Sequence, residues 1–433
     1  MNTAENKFNT PAYRRSRSAY RWEATFEYFV SLLVADAFLA SLLKEIGLSD
    51  ALIGIISSFI TLAFLFQLFS IFIVQRIVNV KRFAIILHTL SNLLFMSLYL
   101  VPFLPFAFPY KRALVIVCVL AAYFGNYLVT SMIFKWANSY VDPRHRGSYS
   151  AGKEMLSLLA GIIMTLIIGF AMDKFTETGH LYGSFIFAAC SIFVFCVCDF
   201  LCLMMIDKKN AIRPKEKAPT VPFREVLKNT LGNRRFVYIV VLTAIWDMAR
   251  YSTVGFLGIY RVSELALTVG VVQVINMAGN AFRFALSKPF GRLSDRISYA
   301  KGASLGMLLA AIGFAMLVFT TPSTRWLIIG YTVFYYVSEA GTNQNLMNVT
   351  YSYVDERFFV QATAIKNSIG GIFGFGASLL ASRLLSFIQG NGNSIFGIHV
   401  YGQQVLALIS LVITVVAILF VRLVIGKQKI LIQ

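Results

Sequence analysis

The sequence predicts an all-α polytopic membrane protein built as two bundles of six helices. Three observations carry this reading: an apolar composition, twelve apolar stretches of spanning length, and one long polar segment that divides them six and six. Of 433 residues, 58% are hydrophobic and only 14% charged. Soluble domains run near half apolar and about a quarter charged, so the balance points to lipid.

A spanning helix needs about 20 mostly apolar residues, because backbone groups in hydrocarbon must bond within their own segment. By that rule the spans fall near 24–46, 51–75, 82–104, 112–138, 148–172 and 181–206, then 235–260, 267–291, 301–320, 326–350, 360–388 and 398–425. The expected organisation is a tail over 1–23, a first bundle over 24–206, a polar linker over 207–234, a second bundle over 235–425 and a short tail over 426–433. The linker carries Pro214, Pro219 and Pro222 among many charges, as a connection between two membrane bundles would.

The net charge of +19 is spread through the short segments between spans. One set of loops holds Arg76, Lys81, Arg82, Arg144, Arg146, the run from Lys208 to Arg235, Lys288, Arg292, Arg296, Lys301, Lys427 and Lys429. The alternate set holds little beyond Lys111, Arg112, Lys174, Arg261 and Arg325. This asymmetry predicts that both termini are cytoplasmic. It also argues against a nucleic-acid partner, which would need a clustered basic face. The first 22 residues, with Arg14, Arg15, Arg17 and Arg21 and no apolar run, read as a cytoplasmic tail rather than a signal peptide.

Enzyme chemistry finds no support. The five cysteines (Cys118, Cys190, Cys196, Cys198 and Cys202) lie in apolar stretches without zinc spacing and read as packing residues. The four histidines (His88, His145, His180 and His399) are scattered, and no phosphate loop is present. No cofactor is expected beyond a coupling ion, a proton or alternatively sodium.

The halves repeat. Ser139-Tyr140-Val141-Asp142 returns 213 residues later as Ser352-Tyr353-Val354-Asp355, and the same offset carries Asn126 onto Glu339, Lys153 onto Lys366 and Gly161 onto Gly374. Parallel six-helix repeats are a recurring transporter architecture. At the end of the eighth span stands Gly291-Arg292-Leu293-Ser294-Asp295-Arg296, followed by Lys301; its first-half counterpart, Gln75-Arg76-Ile77-Val78-Asn79, is degenerate. Here the sequence resembles the major facilitator superfamily, in its loop motif, in Asp142-Pro143-Arg144-His145-Arg146-Gly147 between spans four and five, and in its twelve-span plan. The resemblance implies two bundles related by a pseudo-twofold axis, and a Gly291, Arg292, Asp295, Arg296 segment that gates a rocking motion through Asp295.

Ionisable residues in a bilayer are costly and mark sites or internal pairs. Asp36 lies halfway along the first span and Asp247 halfway along the seventh, 211 residues apart. The resemblance implies that helices one, four, seven and ten line a central cavity, so Asp36, Asn126, Asp247 and Glu339 would share it. Tyr336 and Asn343 lie on the helical face of Glu339, and Gln273, Asn276, Asn280 and Arg283 form a polar stripe on span eight. Trp246 and Arg250 flank Asp247. Plainer readings stand beside these: an internal Asp247–Arg250 pair, interhelical hydrogen bonding by the stripe, and snorkelling of Lys153 and Lys366. Glu23 and Glu27 are assigned to the cytoplasmic face, and Gly370, Gly371, Gly374 and Gly376 to close helix packing.

The expectation is a secondary active transporter working by alternating access, most simply a proton symporter of a small polar solute such as a sugar or nucleoside, with Asp36 or Glu339 as proton carrier. A proton-driven efflux antiporter and a non-transporting receptor on the same fold are the rivals. Span five, without a proline, lacks the feature antiporters of the superfamily usually carry. The expected partners are the lipid bilayer and a small solute, the expected working form a monomer, and the expected location a bacterial inner membrane.

Overall fold

The computed structural model describes residues 8, 10–74, 77, 79–142, 146–209, 228, 230–354, 359–395 and 397–427. All twelve predicted spans fall on helical residues. The first is a bent pair, α1 (Pro11–Leu33) and α2 (Asp36–Glu45); the second is also broken, into α3 (Asp50–Ser57) and α4 (Phe59–Val74). Next come α5 (Val80–Leu98), α6 (Phe108–Asn138), α7 (Arg146–Glu177) and α8 (Leu181–Met205). The seventh span is α9 (Arg234–Tyr251), continued by α10 (Val254–Ile259) and a π-turn at Tyr260–Glu264. The rest are α11 (Val269–Ile297), α12 (Tyr299–Val318), α13 (Leu327–Tyr353), α14 (Phe359–Gly390) and α15 (Gly402–Leu423). A two-stranded antiparallel ribbon, β1 (Ser394–Ile395) and β2 (Ile398–His399), precedes α15, so the last helix starts later than expected.

Local chemistry sets the boundaries. Ser49 accepts a hydrogen bond from Leu52 N–H and caps α3, Asn79 caps α5 through Arg82 N–H at 3.0 Å, and Asn233 caps α9. Proline stands in the first turn of α1 and α6, where its missing N–H costs nothing. Asp36 has φ 46°, in the left-handed region that Asp tolerates better than most residues, and the chain bends by 43° between α1 and α2 there. The mid-span carboxylate of the sequence reading therefore sits at a helix break.

Seven described helices are long and apolar enough to cross a bilayer, eight if the bent α1–α2 pair counts as one. Helices α5, α9 and α13 have the length without the hydropathy. They carry His88, Asp247 with Arg250, and Glu339 respectively. On α7, by contrast, Ile163, Ile167 and Phe170 form an exposed apolar stripe at spacings of four and three, as a lipid-facing surface requires.

The chain divides into two compact units. Unit 1 comprises Met1–Leu48, Phe66–Thr220 and Thr268–Gln273; unit 2 comprises Ser49–Leu65, Val221–Leu267 and Val274–Gln433. The first part of span two and the first turn of span eight thus cluster with the unit opposite to the one a linear division assigns. Unit 1 has a core of Tyr13, Tyr20, Trp136, Tyr140, Tyr149 and Leu203 among others. The segment expected to be a free tail is helical from Pro11 and supplies Tyr13 and Tyr20 to that core. Unit 2 is centred on Trp246, Tyr260, Phe314, Tyr331 and Tyr335.

The repeat has a structural counterpart inside each unit. Tyr140 donates to Asp207 C=O at 2.7 Å, and Tyr353 C=O accepts from Asn233 Nδ2 at 2.7 Å, so the repeated tyrosines anchor residues at the two ends of the linker. Linker residues 210–227 and 229, with Gln75, Arg76, Pro143, Arg144, His145 and Asp355, lie outside the described residues. A Cβ on Gly161 would meet Tyr28 at 2.7 Å, and one on Gly374 would meet Tyr251 at 2.8 Å. Both repeated glycines admit a tyrosine from the first helix of their own bundle.

Candidate functional site

In unit 2 the network is built from α9, α11 and α13. Arg250 Nε lies 3.1 Å from Asp247 Oδ1, one turn earlier on α9, and Nη1 lies 3.2 Å from Glu339 Oε1 on α13. Nη2 donates to the Tyr251 hydroxyl, and the guanidinium carbon stands 4.4 Å from the centre of that ring. Glu339 Oε1 also accepts from Tyr335 at 3.3 Å, and Arg283 Nη1 on α11 approaches Oε2 at 3.7 Å. One carboxylate is thereby shared between two guanidinium groups from different helices. The side chains of Glu339 and Arg283 are 20% and 29% exposed, within reach of a solute.

The plain reading of Asp247 and Arg250 as an i,i+3 pair is what the geometry gives, with Glu339 extending it. Lys366 does not snorkel: it is 5% exposed, and the opposite charge acting on it is Asp247. Three cationic side chains thus face two carboxylates.

The other predicted residues divide. Asn276 Oδ1 accepts from Tyr336 at 3.2 Å and from Arg261 Nη1 at 3.1 Å, and Arg261 Nη2 donates to Thr332 at 2.8 Å. Arg261, assigned to an outer loop by sequence, is 1% exposed at the π-turn. Trp246 is 1% exposed in the apolar core and faces no polar site. Asn280 is half-buried and Asn343 exposed. Gln273 belongs to unit 1, where it packs beside Gly169. Gly291, Arg292, Asp295 and Arg296 fall in the last turns of α11 rather than in a loop; Ser294 between them is buried and accepts from Asn345 Nδ2 at 2.9 Å. The Asp295 side chain lies outside the described ones.

Unit 1 holds a cluster that the sequence reading missed. Glu23, assigned by sequence to the cytoplasmic face, is 4% exposed on α1. One turn on, Glu27 accepts from Asn126 Nδ2 and, at 3.1 Å, from Asn92 Nδ2. His88 Nε2 on α5 lies 3.2 Å from Glu27 Oε2 and 3.1 Å from Asp199 Oδ2 on α8. Neither approach is aligned as a hydrogen bond: both nitrogens of His88 and both oxygens of Asp199 are without a hydrogen-bond partner among the described residues. Lys153 Nζ donates to Tyr20 at 3.2 Å and stands 4.4 Å over its ring. Tyr20, Glu23, Glu27, His88, Thr130 and Lys153 line a cavity of about 290 Å³.

This arrangement also corrects the pairing of the halves. In unit 1 Asn126 meets Glu27; in unit 2 its repeat partner Glu339 meets Arg250. Tyr28 and Tyr251 meet the repeated glycines in the same manner, so the first helices correspond at an offset of 223, with Glu27 opposite Arg250. Asp36 is not the counterpart of Asp247. The signal for the missed cluster was present: His88 and Asp199 are ionisable residues inside apolar stretches, which lipid alone does not tolerate.

A family model, Major Facilitator Superfamily, matches residues 24–378. Among solved structures, the nucleoside transporter NupG is similar with a TM-score of 0.69 and 13% identity, covering 97% of this chain and 100% of its own. A bacterial homologue of the human lysosomal transporter Spinster, inward-facing and unoccupied, gives 0.70 and 14%, covering 98% and 100%. An autoinhibited POT-family peptide transporter gives 0.71 and 12%, covering 98% of each chain. At such identities the likeness is one of fold. No curated protein matches the sequence.

Proposed function

Because this chain belongs to the major facilitator superfamily and is a membrane transporter, we propose that it couples the movement of a proton to that of a small polar solute by alternating access. The observation that carries this reading is Glu339 held between Arg250 and Arg283 at a partly accessible position. The proton is assigned to this carboxylate, which is partly open to its surroundings. Once protonated it loses the charge that holds both guanidinium groups, which are then free to donate to oxygen atoms of a solute. The exchange ties solute affinity to proton occupancy, which is what symport requires.

Proteoliposomes holding the purified chain test this. Nucleosides and peptides are screened first, since similar folds carry them, and sugars follow. The expected result is that one solute drives proton influx as it enters, and that Glu339→Gln abolishes the proton movement. A solute that drives protons outward assigns the antiport reading instead. Solute uptake with no proton movement in the wild type refutes coupling altogether.

A further inference from the structure

We propose that Glu23, His88 and Asp199 form a binding site for one divalent first-row transition-metal ion. The three residues come from α1, α5 and α8, all in unit 1, and share no member with the Glu339 network. One donor atom from each lies within 4.8 Å of the others, and all three residues are buried. Metal–ligand bonds of about 2.0–2.2 Å would draw such atoms closer by side-chain rotation alone. One imidazole and two carboxylates are a donor set suited to manganese, iron, cobalt or zinc rather than to calcium or magnesium.

Two further observations point to a ligand. Asp199 is 0% and His88 2% exposed, yet the atoms they present to one another make no hydrogen bond. Beside the ion-pair approaches of Nε2, His88 Nδ1 and Asp199 Oδ1 have neither a hydrogen bond nor an ion pair among the described residues, and such buried atoms are costly and rare. The charges also do not balance. Glu23, Glu27 and Asp199 bring three carboxylates against two basic groups, His88 and Lys153, the second of which acts on Glu23 while donating to Tyr20. A divalent ion offsets that excess. Glu27, oriented by Asn92 and Asn126 and 3.2 Å from His88 Nε2, is placed to complete the ligand set. Glu23 and His88 line the 290 Å³ cavity, which gives the ion a path to them.

Stripped of metal by chelator, the full-length protein in detergent is titrated with Co²⁺ and followed by visible absorption. The expected result is one ion per chain with d–d bands and no thiolate charge-transfer band. His88→Gln and Asp199→Asn should each weaken binding by at least about tenfold, since even outer-shell changes cost that much. Glu23→Gln, at the cavity wall, repeats the test where a change is least able to disturb folding, and Cys196→Ser should bind as wild type. Zn²⁺ should raise the thermal midpoint of the wild type and of Cys196→Ser but not of Glu23→Gln. Absence of binding in excess Co²⁺, a thiolate band lost in Cys196→Ser, or unchanged affinity in the Glu23, His88 and Asp199 variants each overturns the site. A chain that binds Co²⁺ but moves no protons refutes the coupling reading and leaves the metal site standing; the converse removes the metal site alone.

Discussion

Asp247 shows how charge inside a membrane is kept at the scale of single residues. It faces Arg250 at 3.1 Å and is the carboxylate acting on buried Lys366. Removing one partner of a buried pair leaves the other without compensation, at a cost of about 3–5 kcal/mol. Asp247→Asn should therefore lower the thermal midpoint markedly, and Asp247→Asn with Lys366→Met should recover part of the loss. A double variant no more stable than the single one would show that Lys366 does not depend on Asp247. At the same scale, Asn126 and Glu339 were legible as site residues because amides and carboxylates stand out against apolar helices. Trp246 stood out equally and turned out to be core. Its indole fills space among Tyr260, Phe314 and Tyr331, a distinction that no spacing rule draws.

Helix packing explains why small residues recur where they do. On α12 a Cβ at Gly306 would lie 2.8 Å from the Thr342 backbone nitrogen and 3.1 Å from the Ser338 carbonyl of α13. Backbone cannot move aside as a side chain can, so Gly306→Val should destabilise unit 2 by about 1–3 kcal/mol. A thermal midpoint equal to wild type in detergent would contradict this contact. Packing likewise decides the register of the two halves. The four-residue repeat after the fourth span was readable in sequence, and its tyrosines hold the two ends of the linker, Tyr140 by its hydroxyl and Tyr353 by its carbonyl. The correspondence of the first helices was not, since Glu27 and Arg250 are opposite in charge and a single shared tyrosine, Tyr28 with Tyr251, is too weak a mark. Only the matched contacts to Asn126 and Glu339, and of Tyr28 and Tyr251 to the repeated glycines, bring it out.

For the whole molecule, the basic loops predict cytoplasmic termini and linker. Reporter fusions after Lys209 and after Lys427 should both report the cytoplasm, and a fusion at Thr178 the opposite side; a periplasmic signal from either of the first two would reverse the topology. The division into units adds what the linear reading lacked. Ser49–Leu65 and Thr268–Gln273 cluster with the unit from which the linker would seem to separate them. Each unit keeps its own core, around Tyr140 in the first and Trp246 in the second.

What the sequence determined alone was the class of solution. Apolar segments of spanning length, their number, the polar break between halves and the internal repeat follow from the cost of exposing backbone to hydrocarbon, which acts locally and leaves its period in the chain. Tertiary structure decided which buried charges meet. Glu23, His88 and Asp199 are separated by 65 and 111 residues and converge only because α1, α5 and α8 pack together. The energy of a buried ionic group depends on what stands within a few ångströms of it in space, and distance along the chain carries no record of that.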